Sequence, residues 1–208
     1  MTCKEQIYNK AYYRGRASNY IFWYTNLRFK PFWLRRICTL KRFVKRGKLL
    51  DVGCAFGFFT KFLEKDFEVF GVDIAEYAIE RARRLASSPE RLQVFDIQKG
   101  VPFKGKFDAI TAFDIMEHIV SPLAVFENLY AMLARHGYLY IEMPLSNTLI
   151  NCDIGHHYRP LGEWVALLKE AGFETRLTQT YYTVGLRAVM IPNKKVVNYC
   201  SIIAHKLD

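Results

Sequence analysis

Several features that would place this chain in a simple class are missing from it. None of its apolar runs reaches the roughly 18 residues that would cross a bilayer, and the opening residues MTCKEQIYNKAYYRGR contain no signal-peptide core. The chain also has no internal repeat, no low-complexity segment and no Gly/Ser-rich linker. These absences predict a single globular domain in the cytoplasm.

The cysteines lack any paired arrangement. There are five of them, an odd number, and none forms a CxxC pair. This pattern argues against a disulfide framework and against a structural zinc site. We therefore expect small buried side chains in a reducing compartment.

Acidic residues are almost absent from the first quarter of the chain. Up to Lys48 there are thirteen Lys and Arg residues but one acid, Glu5. The remainder has 17 bases and 19 acids, so the first quarter accounts for all of the net charge of +10. Apolar residues recur there at helical spacing, at Trp33, Ile37, Leu40 and Val44. Bases fall largely on the rest of the wheel: Arg35, Arg36, Arg42, Lys45 and Arg46. This pattern predicts a basic amphipathic helix that either packs on the domain or meets an anionic membrane surface or nucleic acid.

What the chain does have is an alternation of strand and helix patterns. Strands are predicted at KLLDVG, FEVFGVD, RLQVFDI, KFDAITAFD and YLYIEMP, and two later ones at FETRLTQTYYTV and VNYCSIIAHKL. Helices are predicted at FFTKFLEK, AEYAIERARRLA, PLAVFENLYAMLARHG and LGEWVALLKEAG. Such alternation predicts an α/β fold whose parallel sheet is covered by helices on both faces.

The segment LLDVGCAFGFF, residues 49–59, predicts a ligand site at the first strand–helix turn. Gly53 and Gly57 lack a Cβ atom, so the turn can take left-handed angles and a ligand can lie against its main chain. The leading acid Asp51 distinguishes this motif from the GxGxxG dinucleotide fingerprint. A carboxylate there favours a cationic ligand over a phosphate.

Two further acids end the next two predicted strands. Asp73 follows about twenty residues after the turn, where a carboxylate can accept from both ribose hydroxyls, and Asp96 could accept from the amine of a base. Ile74 and Ile97 would give apolar walls beside them. Each acid alone is as readily a helix cap or a turn former, but three at successive strand ends favour a ligand site.

These motifs, together with FDAITAFDIMEHI and GYLYIEMP, resemble the class I S-adenosylmethionine-dependent methyltransferases. The small-molecule branch that includes the ubiquinone-biosynthesis O-methyltransferases is most similar, and the resemblance covers about residues 41–207. The family motif is usually Gly-x-Gly-x-Gly after the acid, and Ala55 stands at its middle position here.

The resemblance implies a three-layer α/β/α Rossmann-like fold with a seven-stranded sheet in the order 3-2-1-4-5-7-6. The seventh strand would be antiparallel, with VNYCSIIAHKL as its candidate. Residues 1–40 would form a basic, aromatic-rich helical extension or lid, and residues 41–208 the methyltransferase domain.

The resemblance also implies S-adenosylmethionine as cofactor and S-adenosylhomocysteine as product. Asp51 would orient the turn and the methionine ammonium, Asp73 would hold the ribose, and Ile74, Asp96 and Ile97 would meet adenine. The full implied cofactor set is Asp51, Gly53, Cys54, Ala55, Gly57, Asp73, Ile74, Asp96, Ile97, Phe113 and Asp114.

Candidates for a general base lie after the fourth and fifth strands. They are His118, beside Glu117 in MEHI, and His156 and His157 in DIGHHYRP. With Asp153 and Glu142 these histidines would offer metal ligands, but their spacing matches no standard motif, so no metal is expected.

We therefore expect a methyltransferase acting on a small-molecule or lipid-linked acceptor, on oxygen. The alternative is an RNA- or protein-directed enzyme that uses the basic first quarter; a non-enzymatic binding module is disfavoured by the complete set of cofactor acids. An anionic membrane is the expected surface partner, with the protein peripheral to it, and nucleic acid the less favoured one. The N-terminal aromatic residues predict helix packing or an acceptor-lining lid; they are Tyr12, Tyr13, Tyr20, Phe22, Trp23 and Tyr24.

Overall fold

The described residues form one sheet of eight strands in the computed structural model, which describes residues 8–14, 24–100, 102–145, 157–184, 187–189 and 198–207. The strands are β1 Gly47–Val52, β2 Phe67–Asp73, β3 Leu92–Val94, β4 Phe107–Phe113, β5 Leu133–Pro144, β6 Glu174–Val184, β7 Arg187–Val189 and β8 Tyr199–His205.

The strand order is β3-β2-β1-β4-β5-β8-β6-β7. Strands β3, β2, β1, β4 and β5 pair in parallel, whereas β8 is antiparallel to both β5 and β6. When the short β7 is set aside, the remaining seven strands follow the predicted order 3-2-1-4-5-7-6. The antiparallel strand also lies within the predicted segment VNYCSIIAHKL, so this expectation is confirmed.

Helices cover both faces of the sheet. They are α1 Lys10–Tyr13, α2 Leu34–Phe43, α3 Phe58–Leu63, α4 Glu76–Leu85, α5 Pro122–Met132 and α6 Leu161–Glu170. One apolar cluster joins α2 and α3 to side chains of β1, β2 and β4, and another joins α5 and α6 to the opposite face of the central strands. Because the five strands β3, β2, β1, β4 and β5 are parallel, their carboxyl ends lie at one edge of the sheet, where ligands bind in such folds.

One predicted helix ends earlier than its sequence pattern indicates. The segment after Pro122 was predicted to be helical as far as Gly137, but α5 ends at Met132 and β5 begins at Leu133. Leu133 is fully buried and pairs with Phe107, while His136 adopts a left-handed φ of 61°. Sheet pairing therefore overrides the local helical preference.

The third strand is shorter than predicted. It ends at Val94, on the edge of the sheet, so Asp96 lies two residues beyond it. Among the described cysteines, Cys54 and Cys200 are buried as expected, whereas Cys38 is exposed. No helix in the described ranges is both long and apolar enough to cross a membrane.

Candidate functional site

The turn between β1 and α3 contains three left-handed residues. The φ angles are 76° for Gly53, 47° for Ala55 and 72° for Gly57. A Cβ atom added to Gly53 would lie 2.1 Å from Cδ1 of Ile115, in the segment that follows β4. Position 53 therefore requires glycine for its backbone angle and for its space.

Asp51 lies at the end of β1 as this turn begins. Its side chain is buried and accepts a hydrogen bond from Thr111 Oγ1 at 2.6 Å, across the register of β1 and β4. Burial raises the pKa of Asp51 to about 7, although Thr111 and Arg36 act in the opposite direction. A ligand cation near this carboxylate would favour its charged form.

Asp73 connects the glycine turn to the end of β2. Its Oδ2 accepts from the backbone N–H of Ala55 at 2.9 Å, and its Oδ1 accepts from that of Ala75 at 2.8 Å. Burial raises the pKa of Asp73 to about 6. Because a carboxylate oxygen has two lone pairs, Asp73 can brace the turn and still accept from a ligand.

Asp96 and the two predicted isoleucine walls lie beyond β2 and β3. Asp96 is half-buried and caps the short turn Ile97–Lys99 by accepting from the N–H of Gln98 at 3.1 Å. Ile97 is buried and Ile74 is half-buried. The capping role of Asp96 is thus observed, and its ligand role stays a prediction.

Asp114 follows the last residue of β4, the buried Phe113. Its backbone is left-handed, with φ of 58°, and its N–H donates to the carbonyl of Glu142 at 2.9 Å. The half-exposed carboxylate accepts from Nη2 of Arg36 at 3.0 Å. The strained backbone and this ion pair fix the position of Asp114 at the carboxyl edge of the sheet.

Glu142 on β5 is the centre of a buried polar cluster that no sequence motif indicated. Arg35 donates to both of its carboxylate oxygens at 2.7 Å, and Nε of Arg36 donates to Oε2, also at 2.7 Å. The hydroxyls of Tyr140 and Ser201 also bond to it. Burial opposes its ionisation, but the two guanidinium groups lower the pKa of Glu142 to about 2.

The sequence did contain a sign of this cluster. Glu142 is the one charged residue of the apolar segment YLYIEMP, and a buried charge requires a partner. That partner is the Arg35–Arg36 pair, 107 and 106 residues away in sequence, which no local pattern connects to it.

The predicted histidines lie in different surroundings. His118 ends the short turn Met116–His118 and is half-buried, while the neighbouring Met116 and Glu117 side chains are buried. His157 is exposed, but its backbone N–H donates to the carbonyl of Glu117 at 2.6 Å. The structure thus brings the backbone of His157 to the His118 turn. His156 and Asp153 fall outside the described residues.

Aromatic residues of the N-terminal segment cover the glycine turn. Tyr12, Tyr13 and Tyr24 are buried in a cluster with Ala55 and Phe56, and the rings of Tyr13 and Phe56 lie 4.7 Å apart. These tyrosines therefore pack against the domain, which is one of the two roles predicted from the sequence, and they do so directly on the glycine turn. The other aromatic candidates, Tyr20, Phe22 and Trp23, lie outside the described residues.

The bases of residues 24–48 divide into two groups. Arg35 and Arg36 bind Glu142, Lys41 pairs with Asp66, and Lys48 pairs with Glu68. The second group is exposed and, within the described residues, forms no ion pair: Arg28, Lys30, Arg42, Lys45 and Arg46. Exposed apolar side chains lie beside the first two of these bases, at Phe29, Phe32 and Leu34. We call these eight residues the basic face.

No three His, Cys, Asp or Glu side chains in the described ranges come together as a metal site would require.

The geometry fits a nucleoside-type cofactor with a cationic tail. The turn at Gly53 places main chain without a side chain at the carboxyl edge of the sheet, beside Ile115, and a buried acid stands on each side of it, Asp51 at β1 and Asp73 at β2. Burial raises the pKa of both carboxyls, so a cation or hydrogen-bond donors beside them would favour their charged forms.

Solved structures with this fold include methyltransferases. A Mesorhizobium loti S-adenosylmethionine-dependent methyltransferase aligns with a TM-score of 0.68 at 14% identity, covering 84% of this chain and 98% of that one. The Synechocystis magnesium protoporphyrin IX methyltransferase, solved with S-adenosylhomocysteine bound, aligns with a TM-score of 0.64 at 16% identity, covering 85% and 82%. The [4+2]-cyclase SpnF aligns with a TM-score of 0.66 at 16% identity, covering 83% of this chain and 80% of that one, so the fold alone does not fix the reaction.

Curated relatives resemble a part of the chain. The ubiquinone biosynthesis O-methyltransferase of Histophilus somni is 29% identical over 106 residues, 46% of this chain and 44% of the relative. That of Coxiella burnetii (strain Dugway 5J108-111) is 30% identical over 102 residues, 47% and 44%. The aligned segment therefore spans less than half the length of these two relatives.

Fold and site together have the features of a methyltransferase domain. The chain belongs to the family described as Methyltransferase domain, whose model matches residues 28–184.

Proposed function

We propose that this enzyme transfers the methyl group of S-adenosylmethionine to a hydroxyl oxygen of a small-molecule or lipid-linked acceptor. The observation that carries the proposal is the position of His118, five residues after the end of β4, at the sheet edge where the cofactor acids lie. A hydroxyl acceptor needs a proton-accepting group at this place. The curated relatives, which are O-methyltransferases, support oxygen as the acceptor atom.

The cofactor roles follow the geometry of the strand ends. Asp51 would attract the methionine ammonium, and the main chain of Gly53, Cys54, Ala55 and Gly57 would lie along the methionine part. Asp73 would accept from the ribose hydroxyls with its remaining lone pairs. Ile74, Asp96 and Ile97 would enclose adenine, and Phe113 with Asp114 would border the methionine side.

Bound S-adenosylmethionine supplies a methyl group that is already activated by its sulfonium centre. The chain therefore mainly has to hold the acceptor oxygen in line with the methyl carbon, and such positioning can supply several kcal/mol of the barrier. During methyl transfer to the acceptor oxygen, His118 would take the hydroxyl proton. The imidazolium formed would then return that proton to water, and S-adenosylhomocysteine would be the second product.

The basic face supports a lipid-linked acceptor. Phe29, Phe32 and Leu34 expose about half of their surface, at 51%, 44% and 50%, next to the exposed bases Arg28 and Lys30. Aromatic and apolar groups beside cations suit the headgroup region of an anionic membrane. Trp33, Arg35 and Arg36 take no part, because they pack inward on the domain or bind Glu142.

Nucleic acid is the less favoured partner of this face. Sequence-tolerant binding of single strands uses aromatic rings exposed on a sheet or groove, on which bases stack. Phe29 and Phe32 instead lie in the short turns that precede α2.

The test is transfer of a radiolabelled methyl group from S-adenosylmethionine to a panel of compounds. The panel contains phenols and catechols, carboxylic acids, amines, a bacterial lipid extract and total RNA. We expect label on oxygen acceptors, with transfer lost in His118→Asn while binding of S-adenosylhomocysteine is retained. Label on amines or RNA alone would refute oxygen transfer to a small molecule.

A further inference from the structure

We infer that Tyr8 is a positioning residue for His118, so that activation of the acceptor depends on the packing of residues 8–14 against the cofactor turn. The inference rests on the proposed role of His118 as the base. It extends that role by naming what orients the imidazole, a residue that no sequence motif indicated.

The contact is direct and spans the fold. The hydroxyl oxygen of Tyr8 lies 3.2 Å from Nδ1 of His118, a separation of 110 residues in sequence. The two rings meet edge to face, with centroids 5.9 Å apart and planes at 83°. Both side chains are half-buried, so water competes only in part for this hydrogen bond.

The partner of Nδ1 decides what Nε2 can do. A neutral imidazole carries one proton, on either of its nitrogens. When Nδ1–H donates to the phenol oxygen, Nε2 keeps its lone pair and can take the proton of an acceptor hydroxyl. When the phenol donates to Nδ1 instead, Nε2 carries hydrogen and cannot act as a base. We assign the first arrangement to the reacting enzyme.

The same tyrosine belongs to the aromatic cover of the glycine turn. The ring of Tyr8 meets that of Tyr12 edge-on at 4.9 Å, Tyr12 meets Tyr13 at 5.3 Å, and Tyr13 packs on Phe56 at 4.7 Å. A continuous series of ring contacts thus runs from the cofactor turn to His118. The base is correctly oriented only while the N-terminal segment lies on that turn.

The first experiment needs no acceptor. Full-length protein carrying ¹⁵N-labelled histidine is saturated with S-adenosylhomocysteine, and long-range proton–nitrogen NMR reports which nitrogen of His118 is protonated; His118→Asn identifies the signal. We expect mainly the Nδ1–H form in the wild type and a shift towards the Nε2–H form in Tyr8→Phe. Tyr12→Phe, which removes a neighbouring hydroxyl of the same segment, should leave the tautomer unchanged.

A mainly Nε2–H form in the wild type, or an unchanged spectrum in Tyr8→Phe, would overturn the assignment. A far-ultraviolet circular dichroism spectrum and a thermal unfolding midpoint that match those of the wild type show that the variant has kept its fold.

The second experiment uses whichever panel compound is methylated on oxygen. Tyr8→Phe should lower kcat about five- to ten-fold, the effect of losing roughly one hydrogen bond in the transition state, with the KM for S-adenosylmethionine unchanged. The pH at which kcat falls on the acidic side should also differ between Tyr8→Phe and the wild type. Tyr130→Phe, near the C-terminal end of α5 and beside Phe173, should change neither quantity. If the wild type methylates no oxygen acceptor, the proposed function is wrong. The NMR measurement of the His118 tautomer tests the role of Tyr8 independently of that result.

Discussion

At the scale of single residues, Asp51 and Asp73 are two buried acids placed on either side of the glycine turn, with pKa values of about 7 and about 6. Their charged forms are disfavoured by burial until a ligand supplies a cation or hydrogen-bond donors. The pKa of each acid in the folded state lies above its ordinary value of 3.8. The stability that the neutral acid contributes to the fold is therefore fully present below pH 3.8. It is lost as the pH rises through about 7 for Asp51.

Cofactor binding should consequently depend on pH. Ligand binding favours the ionised carboxylates, so we expect the Kd for S-adenosylhomocysteine to fall between pH 5.5 and pH 8, by up to about ten-fold per pH unit for one titrating group. Calorimetry in two buffers of different ionisation enthalpy should show proton release below pH 7. Asp51→Asn should bind more weakly and lose the part of the dependence near pH 7; a Kd independent of pH in the wild type would contradict this account.

Asp73 both braces the turn and is predicted to hold the ribose. Asp73→Ala should weaken binding of S-adenosylhomocysteine by about 1.5–3 kcal/mol, because hydrogen bonds to a charged group are lost. Calorimetry measures the change, and Asp66→Ala, on a surface ion pair with Lys41, is the control. Unchanged affinity in Asp73→Ala would place the ribose elsewhere.

Gly53 is constrained twice, by its φ of 76° and by the proximity of Ile115. Gly53→Val should abolish measurable cofactor binding, because a β-branched side chain resists the left-handed angle and would displace Ile115, which distorts the turn. The thermal unfolding midpoint of the variant should be measured beside its Kd. Normal affinity would show that the methionine part does not lie on this turn.

At the scale of elements, Glu142 attaches α2 to the sheet. Arg35 and Arg36 project from this helix onto one fully buried carboxylate, so helix and strand are joined by charge as well as by the apolar contacts of Trp33 and Leu40. Breaking a buried ion pair by removing one partner costs far more than a surface pair contributes.

Glu142→Ala should therefore lower the free energy of unfolding by about 3–5 kcal/mol, since two guanidinium groups lose their partner. For a domain of this size each kcal/mol lowers Tm by about 2–4 °C. Denaturant titration gives the free energy directly, and Glu127→Ala, exposed on α5, should change it by less than about 0.5 kcal/mol. Equal stability of the two variants would show that the cluster does not stabilise the helix.

At the scale of the whole molecule, tertiary structure neutralises part of a very uneven charge distribution. Four bases of the segment 24–50 find acids elsewhere in the chain, and five remain on the basic face. A positive field of this kind attracts anionic surfaces and weakens as salt screens it.

We expect the protein to co-sediment with vesicles containing anionic lipid and not with neutral ones. Phe29→Ser with Phe32→Ser should weaken binding, and Arg42→Glu with Lys45→Glu and Arg46→Glu should weaken it further, since each nearby base contributes about 1 kcal/mol. Val120→Ser, a change at an exposed apolar residue outside the basic face, is the control.

Filter binding to total RNA is measured in parallel at low and physiological salt. Retention of RNA without vesicle binding would show that the basic face binds nucleic acid and not a membrane.

Much of the fold and of the cofactor site was predictable because it depends on short-range patterns. The strand FEVFGVD coincides with β2, Phe67–Asp73, since buried alternation and a closing acid are written in adjacent residues. The glycine turn was predictable for the same reason: Gly53 and Gly57 do adopt left-handed angles. The order of the sheet came from resemblance to a family, not from the residues themselves.

Tertiary structure alone decided the features that join distant segments. Leu133 enters β5 rather than continuing α5 because its burial against Phe107 outweighs one more helical turn. Arg35 and Arg36 leave the predicted solvated face because a buried carboxylate on β5 binds them more strongly than water does. Tyr8 meets His118 only because the folded sheet brings together two segments that lie 110 residues apart in sequence. Local preference is set by neighbours in sequence, whereas a charge or a hydrogen bond is satisfied by whatever group the folded chain brings within about 3 Å.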